Sequence, residues 1–420
     1  MRFQTLLPAL SVFVAAHAAE IPETQARGGL PNVIKKLSAG EEVRVAYLGG
    51  SITEARGWRV LSREWLQKEY PKAKVSEINA AISGTPSAFG AFRVRREVLA
   101  EKPDLLFIEF AVNDSGGDPL RIRRAMEGIV RQTWQADPMT DICFIYTLQK
   151  GDLPTYQSGH LPIPVENMEK VAAHYGVPCI NFGPAVAKLE KEGKLTFTGK
   201  LPTTEEEKVA ANGKIIFTGD GVHPHVETGH PLYLATIRRS WPLISAASKA
   251  TSHALPAPLD AAAWQSAELV PLKDIKREGD WRELDAASPA IASAGPRVPT
   301  MWSAEKAGDS LTFSFTGTCF GIYALKGPDC GNYRVTVDAL PPIETARFDS
   351  FSVANRWRIN PWMYPTDLPE GVHQVRIELL GTAPDKKAIL KDNYAVLTQE
   401  QREGTRLYVS DVMVIGRLNR

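Results

Sequence analysis

Cysteine is scarce: four residues in 420, none in a Cys-x-x-Cys pair and none at His/Cys metal-site spacing. No metal or other cofactor is therefore expected. Charge of one sign is also lacking. The formal net charge is +1 and no block of Lys and Arg stands out, which argues against a nucleic-acid surface. After the first residues no apolar run is long enough to span a bilayer. No amphipathic stretch reads as a membrane-surface helix, so no membrane insertion is expected. No segment repeats. What remains is an ordinary globular composition, long enough for two domains.

The N-terminus differs from the rest. In "MRFQTLLPALSVFVAAHAAE" an arginine precedes an apolar run and then Ala16-His17-Ala18, a small-x-small cleavage pattern. Residues 1–18 read as a signal peptide, and the mature protein as exported, to the periplasm or beyond the cell. Export permits disulfides. Cys143 and Cys179 lie in apolar strand-like runs and read as buried thiols. Cys319 and Cys330 flank an expected hairpin and are candidates for a bridge.

Residues 19–245 alternate apolar strand-like runs ("VRVAYLGG", "KVSEINAA", "DLLFIEFAVN", "DICFIYTL", "VPCINFG") with helical patterns. One helix carries Ile122, Met126, Ile129 and Val130 at three- and four-residue spacing, with Arg121, Arg123, Arg124 and Arg131 as a solvated face. Alternation of this kind predicts an α/β domain, a parallel sheet covered by helices on both faces. The stretch from Lys194 to Asp220 reads as an excursion, a small hairpin near the site edge. Residues 246–262, rich in Ala, Ser and Pro, read as a linker. Residues 263–420 turn to short alternating runs punctuated by Gly, Pro and Asp, as in an antiparallel sandwich.

In a parallel sheet, ligands bind beyond the carboxyl ends of the strands, and four candidates fall there. Ser51 follows the first strand in "LGGSIT", Gly84 the second in "NAAISGTPS", and Asn113 the third in "EFAVND". "TGDGVHPH" places Asp220 three residues before His223. A serine hydroxyl becomes a nucleophile when an imidazole takes its proton. His223 is the candidate base, and Asp220 the carboxylate that fixes its tautomer and steadies the imidazolium. The backbone N–H groups of Ser51 and Gly84 and the Asn113 amide are candidate oxyanion donors. Each position alone has a plainer reading as turn or cap; together they form a set. Asp114 reads as organising the turn that presents Asn113.

These blocks, Gly50-Ser51-Ile52-Thr53, "SGTPSAFGAFR", "FAVND" and "DGVHP", resemble the motif blocks of the SGNH (GDSL-type) hydrolase superfamily, in order, over about residues 43–240. The resemblance implies a flavodoxin-like three-layer α/β/α fold and ester hydrolysis through Ser51, His223 and Asp220. It also implies oxyanion roles for Ser51, Gly84 and Asn113. The usual acid before the serine is replaced by Gly50, as in branches acting on carbohydrate esters. Nor is this the Gly-x-Ser-x-Gly elbow, since position 53 is threonine.

The run "FSFTGTCFGIYALKGPDCGNYRVTVDALP" resembles jelly-roll or galactose-binding-like sandwiches appended to carbohydrate esterases. Trp357, Trp362 and Tyr364 are offered as sugar-stacking faces, against a plainer reading as packing. Glu54 and Trp58, beside the nucleophile, are further candidates for substrate contact, with helix capping and core packing as their plainer readings. The expectation is a serine esterase that removes acetyl or other short acyl groups from carbohydrate, its partner being the acylated glycan. A carbohydrate O-acetyltransferase using the same triad, or a non-catalytic glycan-binding protein, are the alternatives. The sugar, the acylated position and the oligomeric state stay open.

Overall fold

The computed structural model describes residues 20–246, 249–298, 300–353 and 355–419; the expected signal peptide lies outside the described residues. The apolar runs of the first half become β1 (Thr24–Gln25), β2 (Glu42–Gly49), β3 (Lys74–Asn79), β4 (Leu105–Glu109), β5 (Asp141–Tyr146) and β6 (Cys179–Asn181). They form one sheet of order β1-β6-β5-β4-β2-β3, parallel except for β1. The connecting helices are α1 (Pro31–Ala39), α2 (Ser51–Glu54), α3 (Trp58–Glu69), α4 (Ser87–Glu97) and α5 (Pro119–Ala136). They continue as α6 (Leu153–Gln157), α7 (Ile163–Tyr175), α8 (Gly183–Lys191), α9 (Glu205–Ala211) and α10 (Gly229–Ser245).

Successive strand residues feed opposite cores, as the period of two requires. Ala46, Leu48, Leu106 and Ile108 pack with α4, α5 and α7. Val45, Tyr47, Leu105 and Phe107 pack with α1, α3, α8 and α10. Helix α5 starts where Asp118 caps it, accepting from the N–H groups of Leu120 and Arg121 at 2.7 and 3.0 Å, with Pro119 at the first position. The chain leaves β2 for β3 on one side and returns to β4 on the other. That reversal opens a crevice between the ends of β2 and β4, where a flavodoxin-like sheet binds its ligand.

The excursion is not a hairpin. β7 (Leu195–Thr198) and β8 (Ile215–Thr218) pair in parallel, with α9 between them. Parallel strands need a crossover, and Thr204 and Glu207 provide a capping box that starts a helix in it. β8 then runs directly into Asp220.

The C-terminal region is all-β. Its strands are β9 (Ala267–Pro271), β10 (Lys276–Glu278), β11 (Arg282–Glu283), β12 (Trp302–Ala304), β13 (Ser310–Lys326) and β14 (Asn332–Val337). The remainder are β15 (Ile343–Ala346), β16 (Arg358–Ile359), β17 (Trp362–Met363), β18 (Gly371–Leu379) and β19 (Leu407–Asn419). All pairings between these named strands are antiparallel. β13 changes partner along its length, from β18 over Ser310–Gly317 to β17 and β16 beyond. Register shifts against β19 at Gly317/Cys319 and Tyr323/Ala324 bend it. The core holds Phe313, Phe315, Phe320, Val335 and Ile377.

Two expectations change here. Cys319 and Cys330 are not bridged; all four cysteines are free and buried. Nor do the α5 arginines form a solvated face. Arg121 and Arg124 pair with Asp367, Arg124 also with Asp260, while Arg131 bonds Gln265 and the carbonyl of Pro256. Arg123 turns to Asn167 on α7. From sequence alone, a polar stripe facing a second domain looks like one facing water.

Candidate active site

Ser51 opens α2, immediately after β2. The first N–H groups of a helix have no acceptor within it, which leaves the Ser51 N–H available beside its own hydroxyl. Gly50 exists for a neighbour: a Cβ there would stand 1.7 Å from Asn113 Oδ1. The Asn113 amide, from the turn after β4, therefore lies directly against the nucleophile loop. Any side chain before Ser51, the expected acid included, would displace it.

Beneath the loop sits Glu109, the last residue of β4, fully buried. Its carboxylate accepts from the Thr53 and Thr147 hydroxyls at 2.7 and 2.6 Å. Burial raises its pKa, opposed by bonds from Thr147, Thr53 and the Gly50 N–H. An acid thus does support the nucleophile loop, but from the adjacent strand. An acidic residue at the end of an otherwise apolar strand was its one visible sign.

His223 Nε2 lies 2.8 Å from Ser51 Oγ, and His223 Nδ1 lies 2.7 Å from Asp220 Oδ2. Asp220 Oδ1 also accepts from the N–H groups of Val222 and His223 at 2.9 and 2.8 Å. Burial works to raise the Asp220 pKa, but the His223 side chain and these N–H groups overcome it and hold it at about 2. The loop is pinned on both sides: Gly221 N–H donates to Thr218 Oγ1, and His225 N–H to the Phe217 carbonyl. The His223 and Asp220 side chains are 51% and 56% exposed, so the serine–histidine–aspartate line opens onto the surface.

Gly84 lies in the turn after β3 with φ +71° and open space where a Cβ would stand. This left-handed backbone suits glycine. Asp114, next to Asn113, reaches across to accept from the Ser87 N–H at 2.9 Å. It thereby links the Asn113 turn to the start of α4, just past Gly84. Burial pushes the Asp114 carboxyl up to about 7, against its Ser87 bonds and aided by the Glu109 charge.

The candidate substrate contacts fare differently. Trp58 is fully buried, edge-on to Tyr47, Phe107 and Phe182, and has no face for a sugar. Tyr364 stacks on Phe320 at 5.1 Å inside the all-β core, and Trp362 packs between Phe320 and Tyr333. Packing explains Trp58 and Tyr364, which are buried, while Trp362 is half-buried. Trp357 donates its indole N–H to Asp329 at 2.8 Å within the all-β region. Glu54 stays at the site but turns to Ser83 and Arg297. His230 is buried, accepting the Trp58 N–H at 3.0 Å. Burial, with the charge of His223 second, lowers its pKa to about 4. Among the described residues, no group of three or more His, Cys, Asp or Glu side chains is placed to hold a metal. No described helix is long and apolar enough to cross a membrane.

A flavodoxin-like sheet with a serine at its switch point, followed by an all-β region, defines a two-part hydrolase. Residues 47–227, all within the α/β part of the chain, match the GDSL-like Lipase/Acylhydrolase family. The whole chain is similar in fold to a two-domain esterase active on acetylated mannans, with 21% identity and a TM-score of 0.68. The match covers 92% of this chain and 95% of that one in its complex with mannopentaose, and 96% in a second structure of the esterase. No curated protein matches the sequence significantly.

Proposed function

We propose that the chain is a serine esterase that removes short acyl groups, acetyl above all, from carbohydrate. The observation that carries this is the hydrogen-bonded line from Ser51 through His223 to Asp220, with the Asn113 amide packed against Gly50. In this reading residues 19–245 are the catalytic domain, joined through 246–262 to an accessory domain, 263–420. The enzyme acts after export, once residues 1–18 are removed.

His223 Nε2 takes the Ser51 proton as Oγ attacks the ester carbonyl, and Asp220 steadies the imidazolium. The tetrahedral oxyanion meets the Ser51 and Gly84 N–H groups and the Asn113 amide, each donor contributing about 3–4 kcal/mol to the transition state. His223 then passes its proton to the departing sugar oxygen, leaving an acyl-serine. Water, deprotonated by the same imidazole, releases the acid and restores the hydroxyl. The open mouth of the site suits a chain-like alcohol larger than the acyl group. The fold-wide similarity to an esterase active on acetylated mannans supports the same substrate class.

The test is acetate released from acetylated mannan and acetylated xylan by wild type and by Ser51→Ala. Wild type should release acetate and the variant should fall by at least about 10³-fold. Equal release by both proteins would sink the mechanism. Cleavage of p-nitrophenyl acetate alone would leave an esterase without the carbohydrate assignment.

A further inference from the structure

One carboxylate ties the nucleophile helix to the Gly84 turn. Glu54 closes α2, three residues after Ser51, and its Oε2 accepts the Ser83 N–H at 3.0 Å together with the Ser83 hydroxyl. Ser83 immediately precedes Gly84. The second oxygen, Oε1, faces Arg297 Nη1 at 3.5 Å. Arg297 belongs to the C-terminal part of the chain, in a short 3₁₀ turn, Gly295–Arg297, that follows the helix Pro289–Ala294. Neither side chain is freely solvated: Glu54 is 31% and Arg297 22% exposed.

Position matters here because the turn at Gly84 is open on the side where a side chain would pack. A Cβ on that residue would meet no atom within 4 Å, so the direction of its N–H depends on the anchors either side. Thr85 bonds the Ile82 carbonyl within the turn itself. Behind it, Asp114 holds Ser87. In front, the Ile82 N–H donates to the Gly49 carbonyl at 3.0 Å, and among the described residues the Glu54 carboxylate is what ties Ser83 itself to the nucleophile helix.

We infer that Glu54 is a positioning residue for the Gly84 oxyanion donor, and that Arg297 of the C-terminal domain holds Glu54 in place. The all-β domain then acts on the acyl end of the reaction, independently of any glycan it touches. This rests on the roles proposed for Ser51 and Gly84. Arg297 aims the Glu54 carboxylate, Glu54 aims the turn, and the N–H of Gly84 meets the oxyanion.

The test uses the full chain and p-nitrophenyl acetate, whose small alcohol leaves glycan contacts out of the readout. Glu54→Ala should lower kcat by about tenfold or more with little change in KM, the signature of an interaction made chiefly in the transition state. Glu54→Gln keeps an oxygen for Ser83 but loses the ion pair, so it should match Arg297→Ala, with kcat down a few-fold. The double variant Glu54→Gln/Arg297→Ala should be no worse than either single change, because one interaction cannot be lost twice. Arg297→Lys should recover part of the loss. Should Glu54→Ala not fold, Ser83→Ala removes one of the two donors to Glu54 and should lower kcat a few-fold. Wild-type kcat in Glu54→Ala or Ser83→Ala, or additive losses in the double variant, would overturn the inference. Ser51→Ala run alongside separates the two claims. An active Ser51→Ala overturns the underlying mechanism, whereas an inactive one beside an unimpaired Glu54→Ala overturns this inference alone.

Discussion

Gly50 and Asn113 occupy what is in effect one space. Because a Cβ at position 50 would overlap the Asn113 amide oxygen, Gly50→Ala should act as an oxyanion-hole mutation and lower kcat by about 10²-fold or more. Adding Asn113→Ala should cost little further, and kcat for the four proteins of the cycle checks this. Independent losses would show that the two residues do separate jobs. Asp114 carries a second residue-scale expectation. Its carboxyl ionises near 7 when folded, above the ordinary 3.8. The fold therefore prefers the protonated form, and this contribution, full below pH 3.8, is lost as pH rises toward 7. Asp114→Asn keeps an oxygen for the Ser87 N–H and cannot ionise. Its melting temperature relative to wild type should climb across that interval and level off above it. Parallel melting curves at every pH would remove Asp114 as the source.

At the scale of elements, the residues proposed to carry the chemistry are readable because strand ends and turns have local signatures. Ser51, Gly84 and Asn113 each follow a recognisable strand of the main sheet, and the topology rule gathers those ends at one edge, whereas Asp220 and His223 arrive on the loop after β8, in a separate two-stranded sheet. Trp58, Trp362 and Tyr364 were less legible, since an aromatic beside a candidate site looks alike whether it faces solvent or core. Glu109 and Glu54 bond across elements, and apart from the acid at the end of an apolar strand no local pattern announces a carboxylate that reaches another loop. The helix between β7 and β8 was hidden behind two strand-like runs that invited a hairpin. Its capping box was the available sign. Thr204→Ala removes that cap from an exposed short helix and should cost about 1 kcal/mol locally. Faster amide exchange confined to residues 204–212 would report it, and faster exchange throughout the sheet would contradict it.

In the whole molecule the two domains share a core. Phe89 meets Tyr323 edge-on at 4.7 Å, and Phe92 packs on Trp264, which is fully buried. Arg96 pairs with Asp411 across the same face. Residues 253–260, between the domains, are tied to the α/β part: Glu127, buried in α5, accepts the N–H groups of Leu259 and Asp260. His253, earlier in that segment, stacks on Trp134 at 4.7 Å and bonds Asp141. Loss of activity and loss of tryptophan signal on heating should therefore coincide in one transition. Two separated transitions would show domains that unfold independently. A chain ending at residue 245 would expose Phe89 and Phe92 to water and should aggregate.

Cys143, Cys179, Cys319 and Cys330, reduced and enclosed, bear on how the protein can be made. Burial drives each thiol away from the reactive thiolate, Cys319 up to about 12. Maturation then requires no oxidant and no isomerase, in an oxidising compartment as in a reducing one. Polypeptide beginning at residue 19 and produced in a reducing cytosol should emerge with full turnover, and prolonged exposure to dithiothreitol should leave that turnover where it was.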